Sequence, residues 1–393
     1  MLWHAVVGGF VGPFRPRSST LIHKPTQPAR AQSRAIVTSF LVTGGCGFVG
    51  SAICREITRL HPLASVTAFD NLRRRGSEGN LASLEGLGVP VIHGDVRVAT
   101  DLDDVAGEFD VIIDAAAEPS VHAGTSGSPR YVIDTNLGGT VNLLEFARRR
   151  AQTFVLLSTS RVYSIGAMRA LQTTDGTTRL ELADKQAIPG ASGKGISERF
   201  PTDGVRSFYG TSKLASEMLA QEYAAATDLQ VIINRCGVIA GAGQFGKVDQ
   251  GVVALWVAAH LYGRPLAYIG FGGSGKQVRD LMHPDDLLAL VLRQLEMAPS
   301  INGEVFNVGG GRSISVSLAE LTVLCRERTG KAITIDAVAD TSAVDIPVYL
   351  SDTTRVEETT GWHPRRTAID IVDDIATWIE GDYERLRPLF ISA

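Results

Sequence analysis

The stretch SFLVTGGCGFVGSAICREI, residues 39–57, constrains the fold more than any other. A short apolar run meets a glycine turn, and a helix-period segment follows. Gly44, Gly47 and Gly50 give the spacing GxxGxxG, and Phe48 and Val49 open the helix. Such a turn lets main-chain N–H groups approach a pyrophosphate, and the helix N-terminus adds a positive dipole end. A glycine triplet alone recurs by chance; its place between strand and helix gives it weight. The next run, SVTAFDNL, delivers Asp70 and Asn71 about twenty residues past the last glycine. A carboxylate there accepts ribose hydroxyls and repels a 2′-phosphate, which favours NAD over NADP. Arg73, Arg74 and Arg75 soften that preference.

Further strands follow at regular intervals. VPVIHGDVR places Asp95 and Val96 where an adenine would sit. DVIIDAAAEPS ends in Ala115, Ala116 and Ala117, small enough for a cofactor to lie against the backbone, with Ser120 just beyond. A helix from Asn136 to Arg150 leads into TFVLLSTSRVY, which carries Ser158, Thr159 and Ser160 to the same edge. Strands alternating with helices predict an α/β fold with a doubly wound parallel (Rossmann) sheet. Ligands on such sheets bind beyond the carboxyl ends of the strands.

RSFYGTSKLASEML, residues 206–219, sets Tyr209 and Lys213 one helical turn apart on a shared face. By itself that spacing is common on helices. Together with the glycine turn and Thr159 it resembles the extended short-chain dehydrogenase/reductase family of sugar-nucleotide epimerases, dehydratases and decarboxylases. The resemblance runs from about Phe40 to Trp378. FDNLRRRGSEGNL (69–81), GQFGKVDQG (243–251), GKQVRDLMHPDDL (275–287) and FNVGGG (306–311) resemble members acting at C2 of a CDP-linked deoxyhexose.

The resemblance implies that Tyr209 acts as base on a sugar hydroxyl. Lys213 would hold the nicotinamide ribose and lower the tyrosine pKa, and Thr159 would bind the developing oxygen. Bringing a phenol from about 10 to about 7 needs roughly 4 kcal/mol. One positive charge at about 4 Å supplies a comparable amount at an effective dielectric of about 20. Family dehydratases carry an acidic pair after the strand-end threonine; Ser160 and Arg161 stand there instead. A guanidinium is a poor proton donor or acceptor for β-elimination, so the chain reads as a redox-neutral epimerase with NAD as cofactor. Ser120, Arg161, Gln244, Lys247, Gln250 and Arg279 are the expected substrate contacts, Arg279 gripping the diphosphate. Alternatives are a C4-epimerase of a UDP- or dTDP-sugar, an NAD(P)-dependent reductase, and a redox-sensing dinucleotide-binding protein. A second family arginine is missing, since Ser342 occupies its place in DTSAVDIP.

The remaining chain sets bounds. A net charge of −4 gives no reason to expect nucleic acid. Cys46, Cys54, Cys236 and Cys325 form no CxxC pair, so neither a metal site nor a disulfide framework is expected. No apolar run is long enough to span a bilayer. Residues 1–36 hold no acid but several arginines and prolines. They read as a disordered leader or a start assigned too far upstream, with organelle targeting as the lesser alternative to a cytoplasmic site. Residues 37–235 are expected to form the NAD-binding domain, with a return segment at about 276–310. Residues 236–275 and 311–393 would form a smaller, partly interleaved substrate-binding region, with 164–207 a possible lid. A homodimer is implied by the resemblance alone.

Overall fold

A computed structural model describes residues 39–245 and 250–391. Residues 1–36 and Lys247, both subjects of expectation above, lie outside them. Seven parallel strands form the central sheet: β1 (Ser39–Thr43), β2 (Ser65–Asp70), β3 (Val91–His93), β4 (Phe109–Asp114), β5 (Ala151–Thr159), β6 (Gln230–Cys236) and β7 (Glu304–Val308). Their spatial order is β7-β6-β5-β4-β1-β2-β3. The order reverses beside β1, which opens a crevice at its carboxyl end.

The strands read as continuous apolar runs because both faces of the sheet are covered. Side chains alternate between two cores. Phe40, Val42, Val111, Ile113 and Val155 pack with Ile53 and Ile57 of α1 (Phe48–Leu60). Leu41, Ile112, Phe154 and Leu156 pack the other way, against Leu143 and Phe146 of α2 (Gly139–Arg150). The helix expected from Asn136 begins irregularly, with a π-helical turn at Asp134–Gly138. Such turns widen a helix locally and recur at functional sites.

α3 (Phe208–Ala226) carries Tyr209 and Lys213. Its start is fixed by Ser207, whose hydroxyl accepts from the Gly210 N–H at 3.1 Å. β7 pairs in parallel with β6 at the edge of the central sheet. Outside that sheet, Val278–Met282 pairs in parallel with Val238–Ile239 and Val348–Tyr349, and antiparallel with Ser315–Ser317. Segment 164–207 forms two short hairpins that pack against this smaller sheet. Ile196 donates to Leu350 O at 2.8 Å, Leu180 donates to Lys276 O at 2.9 Å, and Leu182 and Phe200 share a core with Val278 and Tyr349.

Asp280 ties this region to the sheet edge, accepting from the N–H groups of Ser351 at 3.1 Å and Gly311 at 3.2 Å. It is fully buried, and burial pushes its carboxyl up to about 6 despite those bonds. The folded state therefore holds this proton more tightly than the unfolded chain does. Stability conferred by the protonated form is lost as pH rises from about 4 through about 6. Asp280→Asn is expected to flatten the melting temperature across that window. About two pH units correspond to roughly 3 kcal/mol at most, so thermal melts at several pH values resolve the difference.

Candidate active site

The glycine turn is required by close approach. Gly44 adopts φ +64°, and a Cβ there would stand 2.8 Å from the Ala115 carbonyl oxygen. A Cβ on Gly50 would collide with the carbonyl of Gly44. Gly47 caps α1 without a side chain, and the first turn contains no acid. The N–H groups near Phe48 and Val49 therefore face an electropositive helix end.

A cleft of about 370 Å³ opens over this turn. Gly44, Gly47, Asp70, Asn71, Val96, Ala115, Ala116 and Ala117 line it, as do Ser120 and Gln250. Asp70 is buried and oriented by main-chain donors, Cys46 N at 3.0 Å and Leu72 N at 2.7 Å. Burial pushes its carboxyl upward and these hydrogen bonds oppose the shift. A carboxylate has capacity for further hydrogen bonds, so Asp70 still suits ribose hydroxyls. Glycines where a Cβ would clash, a bare helix end and an oriented acid together fit a dinucleotide.

The arginines after Asp70 have other partners. Arg73 stacks on Tyr131 at 4.3 Å, Arg74 bonds the Gln250 side chain, and Arg75 donates to Pro388 O at 2.8 Å. Asp95, expected at the adenine, also accepts from Arg97, at 2.9 and 2.5 Å, and from Asn71 at 3.0 Å. The Arg97 hydrogen bonds hold its carboxyl down at about 2. Asn136 is fully buried and clamps the main chain of Glu118, at 2.8 Å and 3.0 Å, placing the end of the alanine run. Ser158 gives its hydroxyl to Glu217. These three residues act on the protein around the cleft, and their side chains have partners within it.

Tyr209 and Thr159 meet at the carboxyl end of β5, and Tyr209 and Lys213 share Cys236, at the end of β6, as a neighbour. Tyr209 hydrogen-bonds the Thr159 side chain, which also accepts from Arg161 N at 3.2 Å. Gly210 permits this approach, because a Cβ there would strike the Arg161 carbonyl. Burial pushes the Tyr209 phenol upward; the Thr159 bond and Arg161 oppose it, while Cys236 and Glu118 add to it. Lys213 is also buried, and burial pushes its ammonium downward against Asp114 and Glu217. The influences that favour the phenolate are the Thr159 hydroxyl and then the Arg161 charge.

Arg161 and Arg279 both reach the loop before Val348. Arg161 donates to Val344 O at 3.2 Å, and Arg279 donates to Ile346 O at 2.7 Å. Burial, then the neighbouring Arg161 charge, bring Arg279 down to about 9. An anion placed between two such guanidinium groups relieves both penalties. Gln244 donates to Ile239 O at 3.0 Å and stays close to its own loop.

Sequence reasoning missed Glu118, Tyr131 and Thr135, which also line the cleft. It missed Glu217 and Arg235 as well, a buried ion pair at 2.7 Å. Arg235 had left a signal, an arginine inside the apolar strand QVIINRC, because an unpaired charge is not buried there. Among the described residues, no cluster of three or more His, Cys, Asp or Glu side chains is placed to hold a metal. No helix there is long and apolar enough to cross a membrane.

The model of the NAD dependent epimerase/dehydratase family matches residues 40–309. CDP-paratose 2-epimerase of Salmonella typhi is 29% identical over 345 residues, covering 86% of this chain and 98% of that protein. dTDP-glucose 4,6-dehydratase of Streptomyces antibioticus is also 29% identical, over 350 residues, covering 87% and 91%. Among solved structures, UDP-glucuronic acid 4-epimerase of Bacillus cereus, in complex with UDP-glucuronic acid and NAD, superposes with a TM-score of 0.69. It is 22% identical and covers 88% of this chain and 100% of that one, a likeness of fold.

Proposed function

The chain belongs to the NAD dependent epimerase/dehydratase family, and from that premise we propose that it is a redox-neutral epimerase of a nucleotide-diphosphate sugar. The site assigned is C2 of a CDP-linked deoxyhexose. One observation carries the epimerase over the dehydratase: the residues after Thr159 are Ser160 and Arg161, and the Arg161 guanidinium is bonded to a backbone carbonyl. Elimination of water needs a proton donor and acceptor at that place. The similarity to CDP-paratose 2-epimerase supports the C2 position. The similar identity to a dehydratase leaves the weight on the residues.

In this reading Gly44, Gly47, the first turn of α1, Asp70 and the alanine run hold NAD. When bound, its nicotinamide supplies a hydride acceptor and then a donor. Tyr209 takes the proton of the sugar hydroxyl and later returns it to the carbonyl oxygen of the keto sugar. Thr159 holds that oxygen, and Lys213 orients the nicotinamide ribose. Arg161 and Arg279 grip the diphosphate, so the sugar can turn about its linkage and present its other face. On family resemblance alone, the protein acts in the cytoplasm as a homodimer, with residues 236–275 and 311–393 as the substrate-binding region.

The test is incubation with CDP-, UDP-, GDP- and dTDP-sugars, followed by chromatographic separation of epimers. A CDP-deoxyhexose is expected to react, with a primary isotope effect from deuterium at C2. An isotope effect at C4 alone would assign the enzyme to the C4-epimerases.

A further inference from the structure

Two charged side chains lie deep beside the catalytic centre without touching the cleft. Glu217 on α3 is 1% exposed, and Arg235 on β6 is 7% exposed. Arg235 donates to Glu217 through Nε, at 3.2 Å and 3.0 Å, and through Nη2 at 2.7 Å. The Ser158 hydroxyl, adjacent to Thr159, donates to the same carboxylate. Arg235 continues to Tyr163 Oη at 3.1 Å, and that hydroxyl donates to Asn307 on β7 at 2.7 Å.

Building on the epimerase reading, we propose that Glu217 is a positioning residue for catalysis, fastening the helix that bears Tyr209 and Lys213 to the strand end that bears Thr159. Glu217 lies one turn beyond Lys213, so its hold on β5 and β6 fixes the axial rotation of α3. A buried ion pair by itself adds little net stability, since apolar replacements often do as well. Its contribution here is placement and field. The groups facing Lys213 are Asp114 from β4, Glu217 from its own helix and Cys236 from β6. Asp114 is occupied by the hydroxyls of Thr43 and Thr140, each at 3.0 Å. Tyr209 is faced by Thr159, Arg161, Glu118 and Cys236. Arg235 faces Glu217 and Tyr163.

The experiment compares Glu217→Gln with Arg235→Met. Both break the same ion pair, but they remove opposite charges. Removing the negative charge favours phenolate and neutral amine alike, so Glu217→Gln moves the pH–rate profile toward acid by about one unit. Arg235→Met moves it toward alkali by a similar amount. Ser158→Ala cuts one hydrogen bond without changing charge; it lowers kcat and leaves the profile in place. Shifts of the same sign in the two charge variants, or no shift, would overturn the proposal, because a purely structural pair gives that result. If Glu217→Gln does not fold, an unmoved profile in Arg235→Met overturns it equally. Should the wild-type protein turn over no nucleotide sugar, the epimerase reading fails on its own. The Tyr209 phenolate absorbance, taken as a difference from Tyr209→Phe, is then titrated in the same variants and must move with the same opposite signs.

Discussion

Tyr209→Phe is expected to lower turnover about 10²–10⁴-fold while the protein still folds and binds NAD. The substitution removes one oxygen from a buried ring. Thr159 keeps its other hydrogen bond, from Arg161 N at 3.2 Å, so the strand end holds its shape. Lys213 keeps Asp114 and Glu217 as charge partners. What disappears is the group assigned to exchange a proton with the sugar hydroxyl. The loss should therefore fall on kcat, with little change in KM for the sugar nucleotide. Steady-state kinetics, with cofactor content and melting temperature as controls, check this. A variant that retained more than about a tenth of the activity would remove Tyr209 from its assigned role.

Gly50→Ala is expected to weaken NAD binding about 10–100-fold and to destabilise the fold at the same time. The added methyl meets the Gly44 carbonyl, with Gly45 Cα also within contact range. Backbone has no rotamer to retreat into, so either α1 moves out or the turn moves toward the pyrophosphate position. Overpacking of this kind costs about 1–3 kcal/mol, and each 1.4 kcal/mol is about tenfold in affinity. Calorimetric titration of NAD and a thermal melt of the cofactor-free protein separate the two effects. Gly86→Ala serves as the control, because a Cβ at that position of a helix meets nothing within 4 Å. Equal NAD affinity in Gly50→Ala and wild type would contradict the role given to the turn.

The central sheet was legible in the sequence because strands covered on both faces must be apolar throughout. Glycines at a strand–helix junction likewise have few other uses. The neighbourhood of Thr159 and Tyr209 was expected from the family resemblance, and the two side chains do meet. Charge partnerships were not legible, because residue type and spacing do not say which charged side chains meet once the chain is folded. Arg97 engages Asp95 across two residues. Arg235 and Glu217 meet across eighteen, and Arg161 and Arg279, 118 positions apart in the chain, reach the same loop. Packing of segment 164–207 was also hidden. Its Gly-, Ser- and Pro-rich composition reads as loop, yet Leu182, Ile196 and Phe200 are buried and its main chain pairs with the smaller sheet.

The most direct measurement is chromatographic separation, with mass detection, of the sugar nucleotides recovered after incubation with the purified, NAD-loaded protein. Epimerisation predicts a new isomer of unchanged mass, formed without net consumption of NAD or NADH. A product lighter by one water, or one that gains two hydrogens as NADH is consumed, would contradict it.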